Sequence, residues 1–136
     1  MRTVEATRTV PAAAEEVAAA LTPETIILHE GTFTVADIEQ TDRGTVVTAT
    51  ATGISATFRF EPLQSGYYYE QEGSEGPFES MATTLSYRRV TAGTELTMTS
   101  DVSLGIRPRV VFDRVGAWKR RGELKRALRS LASEFE

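Results

Sequence analysis

The chain has 136 residues, 40% of them hydrophobic and 25% charged, with no cysteine and one histidine. A single domain of that size (1–136) buries a core without staples, and the missing thiols and imidazoles exclude disulfides, Cys-based or multi-His metal sites and most Ser-His triads. Net charge is -4 but unevenly spread: residues 1–105 carry 6 basic and 15 acidic side chains, residues 106–136 carry 9 basic and 4 acidic ones.

The first ten residues alternate, with Val4, Ala6 and Val10 on one parity and threonines on the other, so they read as a half-buried strand interrupted by Arg8. This start lacks the basic residues and apolar run of a signal peptide, and no later apolar run approaches a membrane span; the expectation is a cytoplasmic protein. Pro11 ends the strand. Residues 12–21, AAAEEVAAAL, are strong helix formers. Thr22-Pro23 closes that helix, and Thr22 can cap a second short one over 23–29.

Six further strands are expected at 33–40, 45–52, 54–61, 67–72, 78–90 and 95–104. Turn chemistry separates them: Asp42-Arg43-Gly44, Gly53, Pro62 to Gly66, the GSEGP cluster at 73–77 and Ala92-Gly93. Their short spacing implies an antiparallel meander. From Pro108 to Phe135 the period becomes helical. Val110, Ala117, Leu124, Leu128, Leu131 and Phe135 fall in one arc, with Arg121 an anomaly among them. Val111, Val115, Trp118 and Gly122 form a second apolar strip on nearly the opposite side. That strip roofs a cavity, meets a partner or membrane, or reaches the same core through a bend at Gly116 or Gly122.

The order of strand, two short helices, six-strand meander and long terminal helix resembles the SRPBCC superfamily, also called START-like or birch-pollen-allergen-like. The residues that carry the likeness are VEATRTVPAAAEEVAAALTPE, EGTFTVADIEQTDRGTVVTAT and LKRALRSLASEFE. The resemblance implies an α+β helix-grip fold: a seven-stranded curved antiparallel sheet, in the order 1-7-6-5-4-3-2, wrapped around the C-terminal helix over an apolar pocket. Many relatives carry an aromatic after the valine of the first helix. Here Val17 is followed by Ala18-Ala19-Ala20, which enlarges the cavity or lets the helices approach.

On strand parity, Phe58, Phe60, Tyr67, Tyr69, Met81, Leu85, Tyr87, Leu96 and Met98 line this pocket, with Val111, Val115 and Trp118 approaching from the helix. Tyr68 points outward. Arg121 is either a polar anchor in the pocket, paired with Glu70, Glu79 or Asp101, or an arginine reaching the rim. His29 beside Glu30 reads as a surface histidine rather than a general base. No metal site, phosphate loop or catalytic carboxylate pair is recognisable, and no cofactor is implied. The basic run Lys119-Arg120-Arg121 with Lys125, Arg126 and Arg129 lacks aromatic interleaving and reads as a solvated face, not a nucleic-acid site.

Three functions follow. The leading one is binding of a small hydrophobic, lipid-like or aromatic molecule between sheet and helix. A polyketide cyclase/dehydrase-type enzyme is the alternative that the resemblance suggests. The third is a module that meets a membrane, a protein or a second copy of itself through the basic helix and the Val111–Trp118 strip. Binding predicts a closed cavity, catalysis predicts titratable groups converging inside it, and interaction predicts a filled core with an exposed patch at Trp118.

Overall fold

The computed structural model describes residues 2–73, 76–105 and 109–135, with Arg109 and Val110 described by backbone alone. The chain runs β1 (Arg2–Val10), α1 (Ala14–Ala20), α2 (Pro23–Glu30), β2 (Thr34–Thr41), β3 (Gly44–Ala51), β4 (Ile54–Leu63), β5 (Gly66–Glu72), β6 (Ser80–Val90), β7 (Gly93–Ser103) and α3 (Arg109–Ser133). All strands join one antiparallel sheet in the order β1-β7-β6-β5-β4-β3-β2. The expected fold class is therefore the observed one. The expected break at Ile106-Arg107-Pro108 lies outside the described residues.

Local chemistry sets the element ends. Thr22 caps α2: its hydroxyl accepts from the Thr25 backbone N–H at 3.1 Å, and the Thr25 hydroxyl accepts from the Thr22 N–H at 3.0 Å. Gly66 opens β5 at φ +141°, where a Cβ would lie 1.8 Å from the Leu85 carbonyl oxygen, so the β4–β5 turn can press against β6 only with glycine there.

The alternating strands turn Val47, Ala49, Ala56, Phe58, Phe60, Tyr69, Met81, Leu85, Leu96, Met98 and Val102 onto the concave face. Phe60 stacks on Tyr69 with ring centres 4.5 Å apart, and Phe33 meets Phe58 edge-on at 5.9 Å. Ala117, Leu124, Ala127, Leu128, Leu131 and Ala132 of α3 complete the core.

The helix is unbroken from Arg109 to Ser133, passing through Gly116 and Gly122. Its buried stripe is Asp113, Gly116, Ala117, Arg120, Glu123, Leu124, Ala127, Leu128, Leu131 and Ala132. Ala117, Leu124, Leu128 and Leu131 of the expected arc are in it. Arg121 is exposed, and its neighbour Arg120 is the inward residue, 1% exposed. Val111, Val115 and Trp118 face away from the sheet, at 54%, 51% and 74% exposure. Three charged residues occupy inward positions that an apolar count assigns elsewhere. Val110 of the expected stripe lies outside the described side chains.

Candidate functional site

The strand register builds a row of hydroxyls under the middle of α3. Tyr69 of β5 pairs with Thr83 of β6, and Thr83 pairs with Ser100 of β7. All three take inward parity, so Tyr Oη, Thr Oγ1 and Ser Oγ point from three adjacent strands into otherwise apolar space.

Arg120 descends from α3 onto this row. Its Nε donates to Ser100 Oγ at 3.0 Å and its Nη2 to Thr83 Oγ1 at 2.7 Å. The guanidinium also grips Glu30, the last residue of α2, with Nη1 to Oε1 at 2.7 Å and Nη2 to Oε2 at 3.0 Å. Glu123, one turn along α3, accepts from Arg120 Nη1 at 3.1 Å and from Lys119 Nζ at 2.9 Å. Thr32 Oγ1 donates to Glu123 Oε2 at 2.5 Å, the oxygen that also accepts from Lys119, and Tyr69 donates to Glu30 Oε2. The β5–β7 sheet face, α2 and α3 thus meet in one buried polar cluster.

Electrostatics follows from this geometry. Burial acts to lower the Arg120 pKa, but Glu30, Tyr69 and Glu123 more than offset it, and the guanidinium is held well above its ordinary value. Burial, reinforced by the Glu30 carboxylate, pushes the Tyr69 phenol far up, so it remains a donor at any physiological pH. Burial would raise Glu123; Arg120, Thr32 and Lys119 outweigh it and keep the carboxyl below its usual range. The cluster can present a fixed cation and a phenol donor to a polar group in apolar surroundings.

Near the β5–β6 connection, Gln71 donates through Nε2 to Phe78 O at 2.6 Å and Gly73 O at 3.2 Å, while its buried Oε1 has no partner among the described residues. Phe78 in turn lies under α3, with Lys119 Nζ 5.5 Å from its ring centre. Before Ala117, the buried residues described on α3 are Asp113, which accepts from Ser103 Oγ at 3.1 Å and Leu104 N at 3.2 Å, and Gly116 against Leu104. The C-terminal half is held by five apolar residues and by His29, whose Nδ1 lies 2.6 Å from Ser130 Oγ and whose Nε2 lies 3.2 Å from Glu134.

The sequence-derived lining separates into three groups. Phe58, Phe60, Tyr69, Met81, Leu85, Leu96 and Met98 are together on the concave face. Phe60, Tyr69, Leu85, Leu96 and Met98 have no accessible surface. Tyr67 and Tyr87 lie at the rim, where they line a groove of about 140 Å³ with Ala18, Leu21, Pro62 and Leu63. A second groove of about 330 Å³ shares Ala18 and Tyr87 with it, so the small residue after Val17 opens space outside the concave face. Val111, Val115, Trp118 and Arg121 are on the outer surface and touch none of this.

Tyr68 is outward as expected. It donates to Glu70 at 2.8 Å, and burial with that carboxylate pushes its phenol up to about 12. Arg8 is exposed. Among the described residues no group of His, Asp or Glu is arranged to hold a metal ion, and no helix is long and apolar enough to cross a membrane.

Sequence reasoning missed Arg120, Glu30, Thr83, Ser100, Glu123 and Gln71. One signal was available: Thr83 and Ser100 each interrupt an inward apolar series, Met81-Thr83-Leu85 and Met98-Ser100-Val102.

The profile of one protein family, described as polyketide cyclase / dehydrase and lipid transport, matches residues 1–136. No curated protein matches the chain to a significant degree in sequence. Solved structures share the fold at low identity. Protein MLL2253 of Mesorhizobium loti is 18% identical with a TM-score of 0.72, covering 97% of this chain and 95% of its own. Ara h 8.0201 is 17% identical with a TM-score of 0.64, covering 97% and 98%. The di-domain ARO/CYC BexL of the BE-7585A biosynthetic pathway is 24% identical with a TM-score of 0.66, over 96% of this chain and 46% of its own.

Proposed function

Because the chain belongs to the polyketide cyclase / dehydrase and lipid transport family, we propose that it binds a small hydrophobic molecule, lipid-like or aromatic, between the concave sheet and α3. The observation that carries this reading is the polar cluster of Arg120, Glu30, Glu123, Tyr69, Thr83 and Ser100 in the middle of an apolar interior. A buried ion-pair network adds little net stability over apolar packing, so its presence calls for another use. In the closed molecule these groups satisfy one another. A ligand enters when the N-terminal half of α3 lifts, exchanges its polar end for one of Arg120's partners, and finds a further acceptor in Gln71 Oε1. Arg120 takes the anchoring role that was one of the two readings of Arg121. Phe58, Phe60, Met81, Leu85, Leu96 and Met98 supply the apolar wall.

A cysteine-free chain makes the test direct. A Cβ at Gly116 would lie 3.0 Å from Leu104 Cγ, which suits a disulfide between Leu104→Cys and Gly116→Cys. Binding of cis-parinaric acid or a naphthol is followed by fluorescence with this staple reduced and oxidised. The expected result is binding in the reduced form that is lost on oxidation. Equal binding in both forms, or binding in neither, overturns the reading.

The Tyr69–Glu30 contact favours a second reading, a cyclase/dehydrase-type reaction in which Glu30 takes a proton and the Tyr69 phenol donates to a developing oxyanion. Tyr69→Phe distinguishes the two: a carrier keeps its affinity, whereas an enzyme keeps affinity and loses turnover of a poly-β-keto substrate.

A further inference from the structure

We propose that the outer face of α3 docks on an anionic lipid bilayer. Val111, Val115 and Trp118 all lie on this face and more than half of each is exposed. They are the apolar patch that the two-sided helix pattern left unassigned. Around and beyond them the same helix carries Arg114, Arg121, Lys125, Arg126 and Arg129, all exposed, and among the described residues none of these five has a carboxylate within ion-pair distance. The helix's two described acidic residues before its last turn, Asp113 and Glu123, are buried on the opposite side. The face is therefore apolar and cationic without an anion to complement it.

Its shape fits a headgroup. Gly122 carries no side chain beside the indole, and a groove of about 450 Å³ opens there, lined by Trp118, Lys119, Arg121, Gly122, Lys125 and Arg126. An anionic headgroup in this groove meets cations on two sides, while Trp118 and the two valines reach the acyl boundary. Tryptophan prefers that depth because its ring is apolar and its N–H stays wet. Long basic side chains reach outward to the phosphates from the same helix. The remainder of the chain orients the approach: residues 1–105 carry 6 basic against 15 acidic side chains, so an anionic surface repels the sheet and attracts α3. A second copy of the chain is disfavoured on this face, because symmetric pairing would set five unpaired cations against five.

The protein supplies its own probe, since Trp118 is its one tryptophan. Its fluorescence is recorded with phosphatidylcholine vesicles containing about 30% phosphatidylserine and with pure phosphatidylcholine vesicles. The expected result is a blue shift, with quenching by acyl-brominated lipid, on the anionic vesicles alone, weakened by high salt. A Cβ at Gly122 meets nothing within 4 Å, so Gly122→Glu and Gly122→Lys both fold. The first should weaken vesicle binding about fivefold and the second strengthen it by a similar factor. The proposal is overturned by no shift on anionic vesicles, by equal shifts on both vesicle types, by a shift that follows protein concentration without lipid, by a shift that soluble polyglutamate reproduces, or by Gly122→Glu binding as well as the parent.

Discussion

Arg120 of α3 and Glu30 of α2, ninety residues apart in the chain, meet through two parallel hydrogen bonds of 2.7 and 3.0 Å in the centre of the molecule. The pair joins the two helices above a sheet whose hydroxyls complete the guanidinium's partners. Breaking it leaves a buried charge unmatched. Glu30→Ala should therefore cost about 3–5 kcal/mol in urea unfolding, while Glu30→Leu with Arg120→Met should recover much of that loss. A double variant no more stable than the single one would show that the cluster is needed for stability.

Stability should also fall in acid. The Glu123 carboxyl is held below its unfolded value of about 4.5. A depressed carboxylate contributes stability that is complete above the unfolded value and lost as pH drops through the folded one. Unfolding midpoints of the parent should decline below pH about 4.5, and those of Glu123→Gln should decline less steeply. Parallel curves for the two proteins would remove Glu123 from the acid response.

The outer face of α3 should tolerate change. Trp118→Ser should alter unfolding free energy by no more than about 0.5 kcal/mol, whereas Phe60→Ala should cost about 3–5 kcal/mol. Acrylamide should quench Trp118 in the native state nearly as well as in urea. Gly122→Ala, with open space around its Cβ, should stabilise the helix by about 0.5–1 kcal/mol.

Gly66 should not tolerate change. Its φ of +141° and the Leu85 carbonyl 1.8 Å from a built Cβ leave no place for a methyl group. Gly66→Ala should cost about 1–3 kcal/mol and move the Tyr67 and Tyr87 near-ultraviolet signals, since both rings border the turn. An unchanged melting curve would contradict that geometry.

Strand parity was legible because period-two alternation runs through β6 and β7 almost without interruption, and Thr22-Pro23 announced the capped start of α2. The span of α3 was legible too. Its apolar arc was legible as well, since Ala117, Leu124, Leu128 and Leu131 are all buried. Its inward charges were not: Asp113, Arg120 and Glu123 are buried, whereas Arg121, read into the arc, and Val111, Val115 and Trp118, read as approaching the pocket, are exposed. A charged residue can be inward when partners from other elements meet it, and those partners are long-range facts. Glu30 is ninety positions from Arg120, and Thr83 and Ser100 become neighbours only through register. The room between the inward side chains was not legible either, because residue types show which side chains face inward and not how much space they leave.

The cross-strand hydroxyl row has a consequence for how the chain reaches its native pairing. A slip of one position in β6 against β7 would rotate either Thr83 or Ser100 to the convex side and bring Arg120 down onto hydrocarbon. Such a misthreaded sheet forfeits donors' partners in a buried place, so the guanidinium disfavours every slip by an odd number of residues.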